Sequence, residues 1–477
     1  MPVPVLVLAA PVPARVGEDK VGLLESLRSH WFGSQHANTA TRMQTYKMHE
    51  GELTRHIHLR TDSDGTGILF IDANTVYHLN PIAMMFAFGI LEKKTDPEII
   101  GNVINRFEAS KNDVLRDLED FRPLMEKLIY DTGICPIHSL DLDLLTPFKT
   151  IPSAPYRMDM ALTYRCNNDC SHCYNARERT FGEMDTNHWK LAIDKVIELG
   201  IPHVVFTGGE PTLRDDLLEL IKYAADKGLV TGLNTNARRL NNSDYAKALA
   251  DSGLDHIQIT VESHDPVIHN HMVNAHAFEQ TVAGLKNAIA TKLFVMTNTT
   301  MLQDNLSSIP DTLDFLAGIG VPTIGLNALI YSGHGASVGT GLRSDQLPGV
   351  LEIAVEKTKR YGQRLIWYTP TQYCGFDPQS LDLGIKGCTA ALYNMCLEPN
   401  ADVLPCQSYY TPVGNFLKDE WTTIWNHPLS LSLRFRKDLP AKCKDCFLLA
   451  ECGGGCPLEN NKNEHQLNVL LDQRIMS

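Results

Sequence analysis

The sequence has no long apolar run and no cluster of basic residues. No uninterrupted apolar stretch among its 477 residues reaches the ~18 to 20 residues that a membrane helix needs, so we expect no membrane-spanning segment. Phosphate binding depends on clustered Lys and Arg; because these are missing and the formal net charge is −13, we expect no nucleic-acid partner. With 43% hydrophobic and 21% charged residues, the composition is typical of a soluble globular protein of two or three domains.

The N-terminal segment has no basic region ahead of its apolar residues, unlike a secretory signal peptide. Four prolines within residues 1–14 exclude a helix, and we interpret residues 1–45 as an extended arm. Without a secretory signal, the twelve cysteines predict a reducing compartment, the cytoplasm, and thiols that bind metal rather than form disulfides.

Three cysteines lie in one short segment. Cys166, Cys170 and Cys173 have the spacing C-x3-C-x2-C, and the apolar run 157–163 ahead of them predicts a buried strand. Three thiolates on one loop can hold a four-iron cluster and leave its fourth iron open to a small molecule. The alternatives are a zinc loop or packed free thiols, but zinc sites favour paired C-x2-C segments. We therefore predict an iron–sulfur site at the C-terminal end of a strand, where α/β barrels have their active sites.

A glycine-rich turn follows the cysteine loop at the end of another short apolar strand, residues 203–207. Its residues are Gly208, Gly209, Glu210 and Pro211. The two glycines allow close approach of the backbone to a ligand, the glutamate can accept a hydrogen bond from an ammonium group, and the proline fixes the exit from the turn. The cysteine loop and this turn together resemble the motifs of the radical S-adenosylmethionine (SAM) enzymes, in which the glycine-rich segment lies beside the methionine amino group of SAM.

The resemblance implies both cofactors and a reaction. An electron donor such as flavodoxin or ferredoxin would reduce a 4Fe-4S cluster, whose open iron binds SAM, and cleavage of SAM would give a 5′-deoxyadenosyl radical that abstracts hydrogen from a C–H bond. The sequence departs from the family at His172, where an aromatic residue is common. Stacking on adenine is the role that the resemblance implies for it.

Apolar runs alternate with helical stretches between residues 150 and 370. The runs span residues 156–163, 203–207, 229–235, 256–261, 293–299 and 323–330. Six strand–helix units predict an α/β fold with a parallel sheet, a partial (β/α)6 barrel, which is also the fold of the family resembled.

Polar residues at the ends of these strands are candidate SAM contacts. By resemblance, Thr235, Asn236, Ser263 and Asn305 would touch the ribose and carboxylate of SAM. Each can instead be an ordinary turn residue, because Asn and Ser commonly stabilise turns through local hydrogen bonds.

The segment ahead of the barrel, residues 46–140, has a different pattern. A hairpin over residues 67–79 is followed by a helix that starts at Asn80-Pro81 and by two more helices. A hairpin with three helices resembles the small peptide-recognition domain of the pyrroloquinoline-quinone peptide chaperone (PqqD-like), which binds a leader peptide by strand addition at a sheet edge. The alternative is a structural cap on the barrel.

Eight of the remaining nine cysteines lie in residues 371–477. They are Cys374, Cys388, Cys396, Cys406, Cys443, Cys446, Cys452 and Cys456. Their spacing resembles the SPASM extension of peptide-modifying radical SAM enzymes, which carries two auxiliary four-iron clusters; a zinc ribbon is the alternative.

The auxiliary region departs from the family because the usual last cysteine, beyond Cys456, is missing. Cys396 is the candidate substitute; otherwise one cluster has an open iron or an Asp or Glu ligand. The twelfth cysteine, Cys135, stands alone between domains and is most simply a structural thiol.

Three functions are consistent with these patterns. The first is a radical SAM maturase of a ribosomally made peptide or small protein, which would form a thioether, a carbon–carbon crosslink or a related bond. The second is a radical SAM enzyme that acts on the side chains of a tetrapyrrole in haem synthesis. The third, a non-enzyme, is an iron–sulfur electron carrier or sensor, which gives no reason for the glycine-rich turn beside an open cluster.

Overall fold

The computed structural model describes residues 5–8, 42–50, 53–62, 64–72, 75–107, 109–130 and 151–459. The chain divides into two compact units between Leu145 and Thr146. Most of the expected N-terminal arm lies outside the described residues, and so does Cys135.

The first unit is a five-stranded sheet with three helices. The strands are β1 (Val5–Leu8), β2 (Arg42–Glu50), β3 (Leu53–Thr61), β4 (Gly67–Ile71) and β5 (Thr75–Leu79), and the helices are α1 (Pro81–Leu91), α2 (Asp96–Arg106) and α3 (Lys111–Tyr130). The sheet order is β1-β5-β4-β3-β2, with β1 parallel to β5 and the other neighbours antiparallel. The hairpin and three helices expected from the sequence are present, and the sheet also contains β1, β2 and β3, which were not predicted.

The start of α1 follows from its sequence. The Asn80 side chain accepts a hydrogen bond from Ala83 N at 2.8 Å, and Pro81 occupies the first turn, where it costs no helical hydrogen bond. Apolar residues of the helices then pack on the sheet, and the rings of Phe86 and Phe121 lie 5.6 Å apart in this core.

The second unit contains a run of seven parallel strands. They are β6 (Arg157–Thr163), β7 (His203–Gly208), β8 (Val230–Thr235), β9 (His256–Thr260), β10 (Phe294–Met301), β11 (Thr323–Ala328) and β12 (Arg364–Trp367). The helices between them are α4 (Thr186–Glu198), α5 (Leu217–Asp226), α6 (Ser243–Asp251), α7 (Pro266–Val273), α8 (Phe278–Ile289), α9 (Ile309–Ile319) and α10 (Leu347–Arg360). The six predicted strands are confirmed, and the arrangement is the partial barrel of the radical SAM fold; the four-residue β12 was not predicted.

The cysteine-rich C-terminal region continues the same sheet. Its strands are β13 (Asn394–Leu397), β14 (Asp402–Leu404) and β15 (Gly414–Asn415), followed by the short helices α11 (Trp421–Trp425), α12 (Pro428–Arg434) and α13 (Leu449–Cys452). Strand β13 is parallel to β6, and β14 and β15 follow antiparallel. The region is therefore joined to the barrel at β6, the strand that leads into the cysteine loop. Within the described residues, no helix combines the length and the apolar character needed to cross a membrane.

Candidate active site

The cysteine loop begins where β6 ends and is held by backbone hydrogen bonds. Cys166 is exposed, and Cys170 and Cys173 are half-buried. Ser171 N donates to Met272 O at 2.9 Å, and His334 N donates to Cys173 O at 2.9 Å. Contacts from the end of α7 and from the segment after β11 therefore fix the loop that carries all three thiols.

The glycine-rich turn packs directly on the backbone that precedes Cys166. Gly209 N donates to Thr163 O at 2.7 Å. A Cβ atom on Gly208, whose φ is +138°, would lie 2.0 Å from Thr163 O, and one on Gly209 would lie 2.4 Å from Arg165 O. Only glycine fits at either position, so the turn and the cysteine loop form one packed unit.

Glu210 joins the ends of β7 and β8. Its Oε1 accepts hydrogen bonds from Thr212 N, Thr212 Oγ1 and Thr235 Oγ1 at 3.0, 2.6 and 2.7 Å, and its Oε2 accepts one from Asn236 N at 2.8 Å. Burial raises the pKa of Glu210, and these hydrogen bonds oppose the increase. Pro211 then starts a short 3-10 turn. The carboxylate thus holds two strand ends together beside the cysteine loop.

The end of β8 also contacts the cysteine loop directly. Asn236 Nδ2 donates to Asn167 Oδ1 at 2.7 Å, and the Arg238 guanidinium donates to Asn167 O and, at 2.9 Å, to Asn168 Oδ1. Its Nε donates to Gln280 Oε1 at 2.7 Å. Sequence analysis missed Arg238, because a single basic residue after a strand has no distinctive spacing.

His172 forms a buried ion pair. Its Nε2 lies 2.9 Å from Glu262 Oε1, and the exposed fractions of the two side chains are 9% and 0%. Burial disfavours the imidazolium, but the charge of Glu262, the hydrogen bond with it and the charge of Asp304 together raise the pKa of His172. Glu262 Oε2 also accepts from Thr300 N at 2.8 Å. The imidazole is thus anchored on the ends of β9 and β10, and its stacking on adenine stays a prediction.

Ser263 and Asn305 use their polar atoms within the protein. Ser263 Oγ lies 2.9 Å from Ser308 Oγ, and Asn305 Nδ2 donates to Glu262 O and Thr300 O at 2.8 and 2.9 Å. Both side chains are fully buried. These bonds stabilise the turns at the ends of β9 and β10, and contact of either residue with SAM stays a prediction.

The donor atoms at the cysteine loop fit an iron–sulfur cluster. All eleven cysteines of the described residues are free. Burial, followed by the charges of Cys173 and Glu262, raises the pKa of Cys170, so cluster assembly must displace its proton. A four-iron cluster binds one thiolate at each iron, and Cys166, Cys170 and Cys173 supply three donors of this type.

The auxiliary cysteines fall into different surroundings. Cys396 lies on β13 and is fully buried in an apolar cluster with Ala161 and Leu404. The remaining seven lie in the loops and short helices around β13 to β15: Cys374, Cys388, Cys406, Cys443, Cys446, Cys452 and Cys456.

A three-thiol loop, a glycine turn at the C-terminal edge of a parallel barrel and a second thiol set on the same sheet define a radical SAM enzyme with auxiliary iron–sulfur clusters.

Comparison with known proteins agrees with this class. Residues 160–316 match the radical SAM superfamily, and residues 388–447 match SPASM, an iron–sulfur cluster-binding domain. The PqqA peptide cyclase of Rhodopseudomonas palustris is 30% identical over 270 residues, which are 54% of this chain and 69% of that protein. The Fe-coproporphyrin III synthase of Methanosarcina barkeri is 30% identical over 206 residues, which are 43% of this chain and 51% of that protein.

A solved structure shares the fold. The structure of Streptococcus suis SuiB bound to the precursor peptide SuiA superposes with a TM-score of 0.61 at 17% identity, covering 83% of this chain and 93% of that chain. The chain belongs to the radical SAM superfamily and carries a SPASM domain. Its cofactors are 4Fe-4S clusters and S-adenosylmethionine.

Proposed function

We propose that this enzyme matures a ribosomally made peptide or small protein by forming a thioether, a carbon–carbon crosslink or a related bond at an unactivated carbon. The observation that carries the proposal is the long edge strand β2 of the first unit, which lies at the end of the sheet. No strand of the described residues pairs with the outer edge of this nine-residue strand, and such an edge can bind an extended leader peptide through backbone hydrogen bonds. Relatives named for a peptide cyclase support the same substrate class.

Strands β1 and β2 are the two edges of the described sheet, and β2 is the better one for this role because it has nine residues and β1 has four. Tyr46 OH donates to Glu92 Oε1 at 2.6 Å, and Tyr130 OH lies 3.8 Å from Met48 Sδ. These contacts tie β2 to the helices, while Arg42 and Lys47 are exposed. A leader peptide that pairs with β2 and has acidic side chains beside the paired residues fits this edge, because Arg42 and Lys47 are basic.

The residues of the second unit then position the reaction. When bound at Cys166, Cys170 and Cys173, the cluster supplies, with SAM, the 5′-deoxyadenosyl radical that removes a hydrogen atom from the substrate. Glu210 and Arg238 hold the surrounding strand ends against the cysteine loop. We assign the SAM contacts to the residues predicted from the sequence: His172, Gly208, Gly209, Glu210, Pro211, Thr235, Asn236, Ser263 and Asn305. We further propose a flavodoxin or ferredoxin as the electron donor and the cytoplasm as the location, since free thiols suit a reducing compartment.

The test is anaerobic incubation of the reconstituted enzyme with SAM, dithionite and the peptide encoded beside its gene. We expect release of 5′-deoxyadenosine and a peptide that has lost two hydrogens, both measured by mass spectrometry. The variant with Cys166→Ala, Cys170→Ala and Cys173→Ala should release no 5′-deoxyadenosine while it retains iron in its auxiliary clusters. The peptide without its leader is the matched control and should remain unmodified; equal modification of both would contradict leader binding.

Amide hydrogen exchange can locate the bound peptide on the unsubstituted enzyme. Binding of the leader should slow amide exchange in β2, because its outer N–H groups gain partners, and should leave β9 of the barrel unchanged. Protection only outside the first unit would refute the assignment of β2.

A tetrapyrrole substrate is the second candidate, and the similarity to a relative named Fe-coproporphyrin III synthase favours it. A porphyrin that copurifies with the enzyme and changes mass on incubation with SAM and dithionite would establish this candidate in place of the first. The electron-carrier hypothesis is set aside, because the chain belongs to an enzyme superfamily and has the glycine-rich turn packed on its cysteine loop.

A further inference from the structure

Three cysteines of the C-terminal region lie close together in sequence but lack an obvious fourth ligand. Cys443, Cys446 and Cys452 follow one another within ten residues, and no cysteine follows Cys456. A four-iron cluster with complete protein ligation needs one more thiolate or another donor. The sequence offers four cysteines upstream of this group in the C-terminal region, Cys374, Cys388, Cys396 and Cys406.

The segment that ends at Cys374 lies against this group of thiols. Tyr373 N donates to Cys452 Sγ at 3.3 Å, and the same sulfur lies 3.5 Å from Thr371 O. The Lys442 ammonium, one residue before Cys443, lies 2.7 Å from Gln372 Oε1 and 3.5 Å from the sulfur of Cys374. The backbone and the side chains thus bring Cys374 to the group from a separate part of the chain.

Gly455, three residues after Cys452, makes room for this segment. Gly454 and Gly455 have φ of +80° and +77°. A Cβ on Gly455 would lie 2.7 Å from Gln372 Cγ, and one on Gly454 would lie 2.4 Å from Leu439 Cδ2. The left-handed turn therefore lets Gln372 pack against Gly455.

The thiols also have different neighbours. The thiols of Cys452, Cys374 and Cys446 lie near that of Cys443. The thiols that lie near Cys456 are those of Cys388 and Cys406. Cys374 is therefore a neighbour of the first group.

Among the contacts of the described residues, none joins Cys396 to Cys443, Cys446 or Cys452. It lies on β13 in the apolar cluster with Ala161 and Leu404, and its Sγ lies 3.8 Å from the neighbouring Leu397 O. Asp159, Glu398 and Cys406 lie near its thiol.

We propose that Cys374 is the fourth ligand of an auxiliary cluster held by Cys443, Cys446 and Cys452, in place of the cysteine that is missing from the C-terminal tail. Tyr373 N and the Lys442 ammonium then act as positioning groups that hydrogen-bond to the sulfurs of this cluster. Hydrogen bonds to ligand sulfur stabilise the reduced state of an iron–sulfur cluster, so these two groups raise its reduction potential.

The test compares Cys374→Ala with the matched control Cys396→Ala, both in the chain that also carries Cys166→Ala, Cys170→Ala and Cys173→Ala. In that background only auxiliary clusters contribute. Iron and sulfide per chain and the electron paramagnetic resonance (EPR) spectrum are measured after anaerobic reconstitution. Cys374→Ala should lose between about one and about four iron atoms per chain, according to whether a three-iron cluster survives or the whole cluster is lost.

The control should retain the iron content and spectrum of the parent. Unchanged iron and an unchanged spectrum in Cys374→Ala would overturn the proposal, and so would loss of iron in Cys396→Ala alone. If Cys374→Ala does not fold, Cys374→Ser, which preserves the side-chain volume, decides: an altered auxiliary spectrum supports the proposal and an identical one overturns it. No peptide is involved in this readout, so its failure is distinguishable from failure of the proposed function.

Discussion

The imidazole of His172 and the carboxylate of Glu262 form a buried pair at 2.9 Å, although 90 residues separate them in the chain. His172 lies within the cysteine loop, and Glu262 lies just after β9. The pair therefore connects the cysteine loop to the centre of the barrel sheet. Since Glu262 also accepts from Thr300 N, its loss would leave two buried donors without a partner.

Glu262→Ala should destabilise the chain by about 3–5 kcal/mol, the usual cost of removing one partner of a buried ion pair. Urea unfolding under anaerobic conditions measures this change. Glu219→Ala is the matched control, because Glu219 pairs with Lys190 at a side chain that is 57% exposed; it should cost at most about 0.5 kcal/mol. The double variant with His172→Ala should cost less than the sum of the single changes, and strict additivity would contradict the coupling.

Gly208→Ala should release iron from the radical cluster, because the added Cβ would overlap Thr163 O at 2.0 Å and displace the backbone ahead of Cys166. The check is the iron content of the radical cluster and the SAM-dependent release of 5′-deoxyadenosine after reconstitution. We expect each to fall at least about tenfold below its value in the parent. Gly349→Ala in α10 is the control. A Cβ there meets nothing within 4 Å, so activity should be retained and stability should stay the same or rise by up to about 1 kcal/mol. Full iron content in Gly208→Ala would show that the loop tolerates the displacement.

The parallel strands and the cysteine loop could be predicted because their signals are local. Apolar runs of five to eight residues between helical stretches identify strands, and a three-cysteine spacing identifies a cluster loop wherever it occurs. Strand β12 has only four residues, too few to show a pattern. The parallel pairing of β13 with β6 joins residues more than 200 positions apart, and no local pattern carries that information.

The partners of the site residues could not be predicted for the same reason. The contact of Glu210 with SAM stays a prediction, but the hydrogen bonds that its carboxylate accepts from Thr212, Thr235 and Asn236 could not be foreseen, because they arise where the ends of β7 and β8 meet in the sheet. The glycines of the turn were expected to admit a ligand, and they also admit the backbone of the cysteine loop. The spacing of the C-terminal cysteines gave no division between clusters, and the division proposed above depends on the contact of Tyr373 with Cys452.

Arg238→Ala should loosen the cysteine loop, because it removes the contacts of the guanidinium with Asn167 and Asn168. The measurement is the rate at which the radical cluster loses iron to a chelator, and we expect an increase of about tenfold, equivalent to roughly 1.4 kcal/mol and close to the value of a hydrogen bond to a charged group. The neighbouring Arg239 donates to Thr212 O and stacks on Tyr245 instead, so Arg239→Ala is the matched control and should leave the rate unchanged. Equal rates of iron loss for the two variants would indicate general destabilisation and not a specific role of Arg238 in holding the cysteine loop.

The first unit should lose stability in acid through His78. Arg60 on β3 and His78 on β5 both lie opposite Ile68 on the strand between them, so the two side chains share one face of the sheet. Burial first, and then the charge of Arg60, lower the pKa of His78 to about 4. The unfolded chain binds this proton near the ordinary value of 6.5, so it holds more protons than the folded chain between the two values. Stability is therefore complete above pH 6.5 and declines as the pH falls toward 4, by about 2 kcal/mol because the side chain is partly exposed.

Hydrogen exchange in β4 and β5 measures this loss within the first unit, away from the acid-labile clusters. Between pH 7 and pH 4.5, after correction for intrinsic exchange rates, protection of these amides should fall more in the parent than in His78→Gln, by up to about thirtyfold for 2 kcal/mol. His188→Gln is the control, because His188 is exposed on α4 of the other unit, and it should follow the parent. A parent and a His78→Gln variant with the same pH dependence would show that His78 does not carry the acid sensitivity of this sheet.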